Sequence, residues 1–395
     1  MFQSMQMAPP DAILGLNEQF RNDNNPNKIN LGVGVYKDDS GITPILDCVK
    51  RAEQQILEQE NSKSYLGMQG LEAYGSLVRN LLAPGKLEDG RAVTFQTPGG
   101  TGALRVAGDF LRQKVNAHRI WVSSPTWANH PSIFKAAGLE VATYDYLDDN
   151  GVTLDFQSFC DSLLQIPAGD VVCLHACCHN PTGVDPTAEQ WQQIAEICSK
   201  QKILPLIDFA YQGFGNGIDE DAAALLPFID SGNELMVCSS FSKNFGLYCE
   251  RIGALTLVAD SADSAQVALS HVKLSVRTNY SNPPKHGGAI VQAVLEDTEL
   301  THLWHKEVAE MRDRINALRS TFVSNMAQRT SARDFSFIND QRGMFSYSGL
   351  TKNQVDNLKH NHSIYIVGSG RINIAGISNT NIDVLCDAIA AVMDV

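Results

Sequence analysis

Short apolar runs alternate with helix-forming stretches through the middle of the chain, and few folds accept that pattern. The runs are Ile120-Trp121-Val122, Val171-Val172-Cys173-Leu174, Leu204-Pro205-Leu206-Ile207, Leu235-Met236-Val237-Cys238 and Ile252-Gly253-Ala254-Leu255-Thr256-Leu257. Helical stretches are read at 102–115, 130–137 and 188–200. The runs are apolar at consecutive rather than alternate positions, so both faces of the strands they form must be covered. The expected fold is therefore α/β, a mostly parallel central sheet flanked by helices. Ligands of such sheets sit beyond the carboxyl ends of the strands, which directs attention to the residues that follow each run.

The flanks differ in character. Residues 1–30 are polar and read as an irregular lead-in, with Asn22-Asp23-Asn24-Asn25-Pro26-Asn27 as a turn cluster. Helices are predicted over 46–60 and 71–83. From about 297 a long amphipathic helix is expected, with Leu303, Val308, Met311, Ile315, Leu318 and Phe322 near helical spacing. Short strands follow at Phe345-Ser346-Tyr347 and Ile364-Tyr365-Ile366-Val367, and a last helix at 381–393. The expected organisation is an N-terminal arm over 1–14, a smaller α+β domain made of 15–45 plus 311–395, and a large domain over 46–310.

Composition narrows the function. With 395 residues, 44% of them hydrophobic, the chain can bury a large core and is not a disordered one. No run of 18 apolar residues occurs, so no membrane-spanning helix is expected. Met1-Phe2-Gln3-Ser4-Met5-Gln6-Met7 lacks a basic segment leading into an apolar one, which predicts no secretory leader and a cytoplasmic location. The formal charge of −13 disfavours nucleic acid and anionic lipid as partners. It also opposes small anions at long range, so an anionic substrate would need arginines placed in a pocket. Nine cysteines, an odd number in a long chain, fit reduced thiols better than a disulfide framework. The cluster Cys177-Cys178-His179 has neither a C-x-x-C pair nor a second half-site, and no metal is expected.

Three of the runs are followed by polar residues of consistent chemistry. Asn180-Pro181-Thr182-Gly183 comes after the run at 171–174, and Asp208 with Tyr211 after the run at 204–207. Ser240-Phe241-Ser242-Lys243 follows the run at 235–238, with Arg251 eight residues beyond Lys243. Each taken alone has an ordinary explanation: a cap, a solvated amine, a turn. Together and in this order they resemble the class I, fold-type I pyridoxal-phosphate aminotransferases, in the aspartate/aromatic branch. The resemblance spans essentially the whole chain. It rests also on Gln96-Thr97-Pro98-Gly99-Gly100-Thr101-Gly102-Ala103-Leu104, Asp208-Phe209-Ala210-Tyr211-Gln212-Gly213-Phe214, Ser242-Lys243-Asn244-Phe245-Gly246-Leu247-Tyr248-Cys249-Glu250-Arg251, Tyr280-Ser281-Asn282-Pro283-Pro284 and Gly370-Arg371-Ile372-Asn373.

The resemblance implies a role for each residue. Lys243 would hold pyridoxal 5'-phosphate as a Schiff base and carry the proton between substrate and cofactor, which needs an amine of depressed proton affinity. Asp208 would pair with the protonated pyridine nitrogen and keep the ring an electron sink. Tyr211 and Asn180 would donate to the ring's phenolic oxygen. Gly99, Gly100 and Thr101 at a helix start, with Ser240, Ser242 and Arg251, would cradle the phosphate, and Tyr65 would add a hydroxyl from a second subunit. Gly99 stands where the family often has Ser, which removes one side-chain donor. Trp127 would stack on the ring, with His130 and His175 behind it. Arg371 would clamp the substrate α-carboxylate in a bidentate pair, Gly34 would approach it closely, and Arg277 of the other subunit would take the distal carboxylate. The implied partners are small amino acids and 2-oxo acids, and the implied assembly is a homodimer with composite sites.

Substrate choice within the branch is less directly written. Val35, Lys37, Thr43, Thr101 and Asn282 look like the aspartate type, Ser64 departs from its usual Asn, and Tyr347 is compatible with either type. The expected reaction is amino transfer between aspartate and 2-oxoglutarate, with aromatic amino acids as the alternative donors. A pyridoxal-phosphate lyase or decarboxylase on the same fold remains a competing reading that the Arg371/Arg277 pair argues against. A dinucleotide-binding oxidoreductase is another, but Gly32-Val33-Gly34 and Gly99-Gly100-Thr101-Gly102 do not complete G-x-G-x-x-G.

Overall fold

The computed structural model describes residues 2–7 and 14–393. Of the expected arm, residues 1 and 8–13 lie outside the described residues. A two-residue strand β1 (Ile29–Asn30) comes first and belongs to a small sheet described below. The central sheet has seven strands: β2 (Ala92–Thr97), β3 (Arg119–Ser124), β4 (Glu140–Asp145), β5 (Val171–His175), β6 (Leu204–Phe209), β7 (Leu235–Ser240) and β8 (Gly253–Val258). Their order across the sheet is β2-β8-β7-β6-β5-β3-β4. Neighbours from β7 to β4 run parallel, whereas β8 is antiparallel to both β7 and β2.

The consecutive apolar positions have the consequence expected of them. Successive side chains of a strand point to opposite faces, and every residue of β5, β7 and β8 is buried. Val172, Leu174, Ile207 and Val237 join one apolar cluster, while Cys173, Leu206, Met236 and Cys238 join another on the opposite face. Two strands escape the sequence pattern. Strand β2, Ala-Val-Thr-Phe-Gln-Thr, hides its polar residues by pairing them: Thr94 Oγ1 lies 2.9 Å from Thr256 Oγ1, and Gln96 donates to the Pro284 carbonyl at 2.6 Å. Strand β4 is the sheet edge and is largely exposed or half-buried, so it has no apolar run to read.

The irregular lead-in over 1–30 is corrected by the structure. A helix spans Leu14–Asn22, and β1 pairs in parallel with β10 (Ile364–Tyr365). The Phe20 ring packs edge-on to Tyr365 at 5.5 Å, and Lys28 Nζ takes the Phe20 and Asp23 carbonyls at 2.9 and 2.7 Å. The strand pairing and the Phe20–Tyr365 contact span more than 300 residues of sequence and are invisible to local pattern. The same short partner limits β10 to two residues, so the strand expected to reach Val367 stops early. A second small pair joins β9 (Phe345–Tyr347) to β11 (Arg371–Asn373), antiparallel.

The long helix, Thr298–Arg329, starts where Asp297 accepts the Glu299 and Leu300 amides. It buries Leu300, Trp304, Val308, Met311, Ile315, Leu318, Phe322 and Met326, a stripe at steps of three and four. Leu303, expected in that stripe, is only partly buried. Position 311 falls inside this helix, not between elements. Its Glu307 carboxylate caps the Asp47–Gln59 helix through the Asp47 and Cys48 amides at 2.6 and 3.1 Å. Among the described residues, no helix is long and apolar enough to cross a membrane.

Candidate active site

Strand register assembles the floor of a cavity. Because β5, β6 and β7 run parallel, His175 stands opposite Asp208, and Asp208 opposite Cys238. Asp208 is buried, and its Oδ2 lies 2.9 Å from His130 Nε2. An ionised carboxylate can only accept, so Nε2 carries the proton and Nδ1 is free to accept from the Thr126 hydroxyl at 2.8 Å. Burial alone would raise Asp208, but the His130 hydrogen bond and the fields of His130, His175 and Lys243 outweigh it and hold the carboxyl below its ordinary value. His175 beside it is pushed down to about 3 by burial, then by His130, and both of its ring nitrogens are buried without a partner. His130, His175 and Asp208 have ligand atoms within 4.8 Å of one another. Hydrogen bonds within and beside this cluster already engage both His130 nitrogens, one with Asp208 and one with Thr126.

Lys243 enters over this floor from the turn after β7. Asn244 fixes the turn, donating to the Gln212 carbonyl at 3.1 Å while its own carbonyl accepts from Trp304 Nε1 at 2.8 Å. The Lys243 amine is lowered to about 8 by burial, with Arg251 acting in the same direction and Asp208 against it. Its Nζ sits 4.6 Å from the Tyr211 ring centre.

One end of the cavity is built for an anion. The Gly99–Phe110 helix begins directly after β2, three residues earlier than the apolar spacing suggests, and Pro98 at its start makes no side-chain cap bond. Its first amides are therefore unpaired by the usual means. Gly99 has φ +75°, and a Cβ there would lie 2.4 Å from Arg251 Nη2. A side chain at 99 would thus meet both backbone strain and the guanidinium. Arg251 in turn donates to the Tyr248 carbonyl at 3.0 Å and the Ser242 hydroxyl at 3.4 Å, and the Ser240 and Ser242 hydroxyls are 3.2 Å apart.

The other end carries Arg371, 4% exposed, on β11. It donates to the Gly32 carbonyl at 2.6 Å and to Asn180 Oδ1 at 3.3 Å, and lies over the Phe345 ring at 4.1 Å. Its Nε is buried without a partner, and among the described residues no carboxylate pairs with it. Gly34 is required by the same ring: a Cβ there would come within 2.7 Å of Phe345 Cζ.

Gly34, Gly100, Thr101, Trp127, Asn180, Asp208, Tyr211, Ser240, Ser242, Lys243, Arg251 and Arg371 all line this one cavity of about 470 Å³. Gly99 touches it through Arg251. Tyr65 and Arg277 do not line it; Tyr65 is 92% exposed, and Arg277 is exposed and donates to the Ser281 hydroxyl. Four lining residues had drawn no role from the sequence: Leu104, Ala210, Tyr248 and Phe345. Tyr248 accepts the Tyr36 amide at 3.0 Å, tying the Gly32–Tyr36 segment to the Lys243 turn. Tyr248 stands inside a quoted motif, five residues after Lys243, and Phe345 inside the strand read at 345–347, two before Tyr347; that proximity was the available signal.

The residues present fit pyridoxal phosphate on their own chemistry. An uncapped helix start with Arg251 suits a phosphate, a buried carboxylate suits a ring cation, and a buried arginine with a free Nε suits a carboxylate. Comparison with known proteins agrees. The family model "Aminotransferase class I and II" matches residues 26–389. The chain is 51% identical to the aspartate aminotransferase of Escherichia coli over the full length of both, and 46% identical to the aromatic-amino-acid aminotransferase of Pseudomonas aeruginosa over 99% and 98%. The aromatic-amino-acid aminotransferase of Burkholderia pseudomallei, solved covalently bound to pyridoxal phosphate, superposes with a TM-score of 0.96 at 47% identity, covering 100% of this chain and 99% of that one. The chain belongs to the class I and II aminotransferases, pyridoxal-phosphate enzymes of fold type I.

Proposed function

We propose that this aminotransferase moves an amino group between aspartate and 2-oxoglutarate, giving oxaloacetate and glutamate. The observation that carries the reading is one cavity holding the Lys243 amine, the Asp208 carboxylate, an uncapped helix start and an unpaired buried Arg371. Bound pyridoxal phosphate supplies an electron sink for charge at the substrate α-carbon. Lys243 would anchor it covalently and would carry the α-proton; an amine lowered to about 8 can both give and take a proton near neutral pH. Asp208 would accept from the protonated ring nitrogen and so keep it charged, and His130 orients Asp208. Asn180 and Tyr211 would donate to the ring oxygen. Gly99, Gly100 and Thr101 with Ser240, Ser242 and Arg251 would hold the phosphate, Trp127 would cover the ring, and Arg371 with Gly34 would receive the α-carboxylate.

Tyr65 and Arg277 complete the site from a second copy of the chain, so the active form is a homodimer. Their exposure in the single chain supports this, since a hydroxyl and a guanidinium otherwise facing water have no part in its own cavity. The smaller domain, 15–45 with 311–395, contributes Gly34, Phe345 and Arg371, and the large domain, 46–310, the rest. The enzyme works in the cytoplasm.

Aromatic amino acid transfer is the second reading, favoured by relatives of that name at 46–47% identity. The test is kcat/KM for aspartate against phenylalanine and tyrosine with 2-oxoglutarate as acceptor. An aspartate value tenfold or more above the aromatic ones supports the first reading, and a clear aromatic preference replaces it by the second.

A further inference from the structure

Two carboxylates outside the cofactor cavity, the half-buried Asp185 and the buried Asp221, hold the loops that carry Asn180 and Tyr211. Asp185 accepts the Cys178 amide at 2.7 Å and the His179 amide at 2.8 Å, the two residues directly before Asn180. Cys178 is in the left-handed region, φ +51°, a conformation that a non-glycine residue keeps only when its surroundings fix it. Asp221 accepts three amides from the segment after Tyr211: Gly213 at 2.8 Å, Gly215 at 2.9 Å and Asn216 at 2.8 Å. Both carboxylates line a second cavity, of about 570 Å³, which the cofactor site does not share. Asp221 is 4% exposed. Burial raises both carboxyls, and for Asp185 the charge of Asp221 adds to it, bringing it up to about 7. Among the described residues neither is in an ion pair with a lysine or arginine; the five backbone amides, with the Cys177 thiol at Asp221 and the Arg342 charge farther from Asp185, are what favour their ionised forms. Hydrogen bonds from backbone N–H to a carboxylate are stronger and shorter than neutral ones and set position closely.

We propose that Asp185 and Asp221 are positioning residues that aim Asn180 and Tyr211 at the cofactor's ring oxygen, and so tune the proton affinity at Lys243 without touching the cofactor. The inference rests on the roles given above to Asn180 and Tyr211. Five amide bonds to two carboxylates convert loops after β5 and β6 into rigid brackets. A loop free to shift by an ångström would lose much of a donor's effect on the anion it faces. The Lys243 nitrogen would then retain its proton to higher pH. Asp208 and Arg251 also face that nitrogen and are unchanged by such a loss, whereas Tyr211, whose ring lies 4.6 Å from it, moves with the loop that Asp221 holds.

The experiment uses the pyridoxal-phosphate-loaded enzyme and follows the visible absorbance of the lysine-linked cofactor against pH. Asp185→Asn and Asp221→Asn should each raise the midpoint by about one pH unit, a tenfold change in proton affinity. Glu220→Gln, which removes a charge from the same cavity without releasing an amide, should leave the midpoint in place. On an Asn180→Ala background, Asp185→Asn should add less than half of its own shift, and Asp221→Asn should behave likewise on Tyr211→Phe, because each pair acts through one donor. Unmoved midpoints in the two aspartate variants, or shifts that add in full, overturn the inference. If Asn180→Ala and Tyr211→Phe themselves leave the midpoint unmoved, the donor roles fail and the inference falls with them. Should Asp221→Asn not fold, the Asp185/Asn180 pair decides alone.

Discussion

Arg371 and Arg277 carry the same guanidinium in opposite surroundings. Arg371 is buried among the Gly32 carbonyl, the Asn180 amide oxygen and the Phe345 ring, so its direction is fixed before any ligand arrives. Arg277, at the end of the Ala262–Asn279 helix, is exposed and bonded to Ser281 one turn on. The first has lost its water and its rotamer freedom in folding; the second keeps both until something covers it. The difference teaches how one chain divides its labour. On the function proposed above, the cavity with Lys243, Asp208 and Arg371 would be the pre-organised part that any amino acid substrate meets, and the exposed Arg277 the adaptable rim that would choose among side chains.

The comparison is open to breakage from several sides. Lys243→Ala removes both anchor and proton carrier, and turnover should fall by a factor on the order of 10⁴ or more; stopped assays on the cofactor-loaded variant, with loss of its lysine-linked absorbance, check this. Arg371→Ala should cost on the order of 10²–10³ in kcat/KM for aspartate and phenylalanine alike, since a buried charge pair is worth about 3–4 kcal/mol when one side is truncated. Unequal losses would mean that the floor is not indifferent to the side chain. Arg277→Ala should lower kcat/KM for aspartate by roughly 10- to 100-fold, from one charge-assisted contact of about 1.5–3 kcal/mol, and leave phenylalanine within about threefold. Equal losses would erase the distinction between rim and floor. The smallest effect comes from pH. Only the neutral Lys243 amine attacks an aldehyde, and its value near 8 means that the neutral fraction rises about tenfold between about pH 7 and about pH 9. Uptake of pyridoxal phosphate by the apoprotein should quicken by about that factor and then level off; a flat rate across the range would contradict a lowered amine.

Much of this was legible in the sequence, for reasons that vary by element. The strands β5, β7 and β8 announce themselves because burial on both faces demands unbroken apolar runs. Lys243, Asp208 and Asn180 follow directly from the strand-end rule and the resemblance, because a parallel sheet gathers the residues after its strands. Strand β2 was hidden because its polar side chains are satisfied by Thr256 and the Pro284 carbonyl, partners that no local window contains. The Leu14–Asn22 helix and β1 were hidden because their stability comes from Tyr365 and Ile364, at the far end of the chain. Tyr248 and Phe345 were in view as letters of motifs, but their work, bracing Tyr36 and covering Arg371, is a contact between segments distant in sequence.

The opposition between an acidic chain and anionic ligands also resolves in space. The −13 charge is a property of the whole sequence, while Arg251 and Arg371 line one cavity and Asp185 and Asp221 another. By itself the sequence determined the fold class, the family and the chemistry of the floor, since each is carried by residue identity at fixed spacing. Only the tertiary structure decided which groups are desolvated, which are braced and which still face water, because burial and long-range hydrogen bonds arise when segments hundreds of residues apart are packed together.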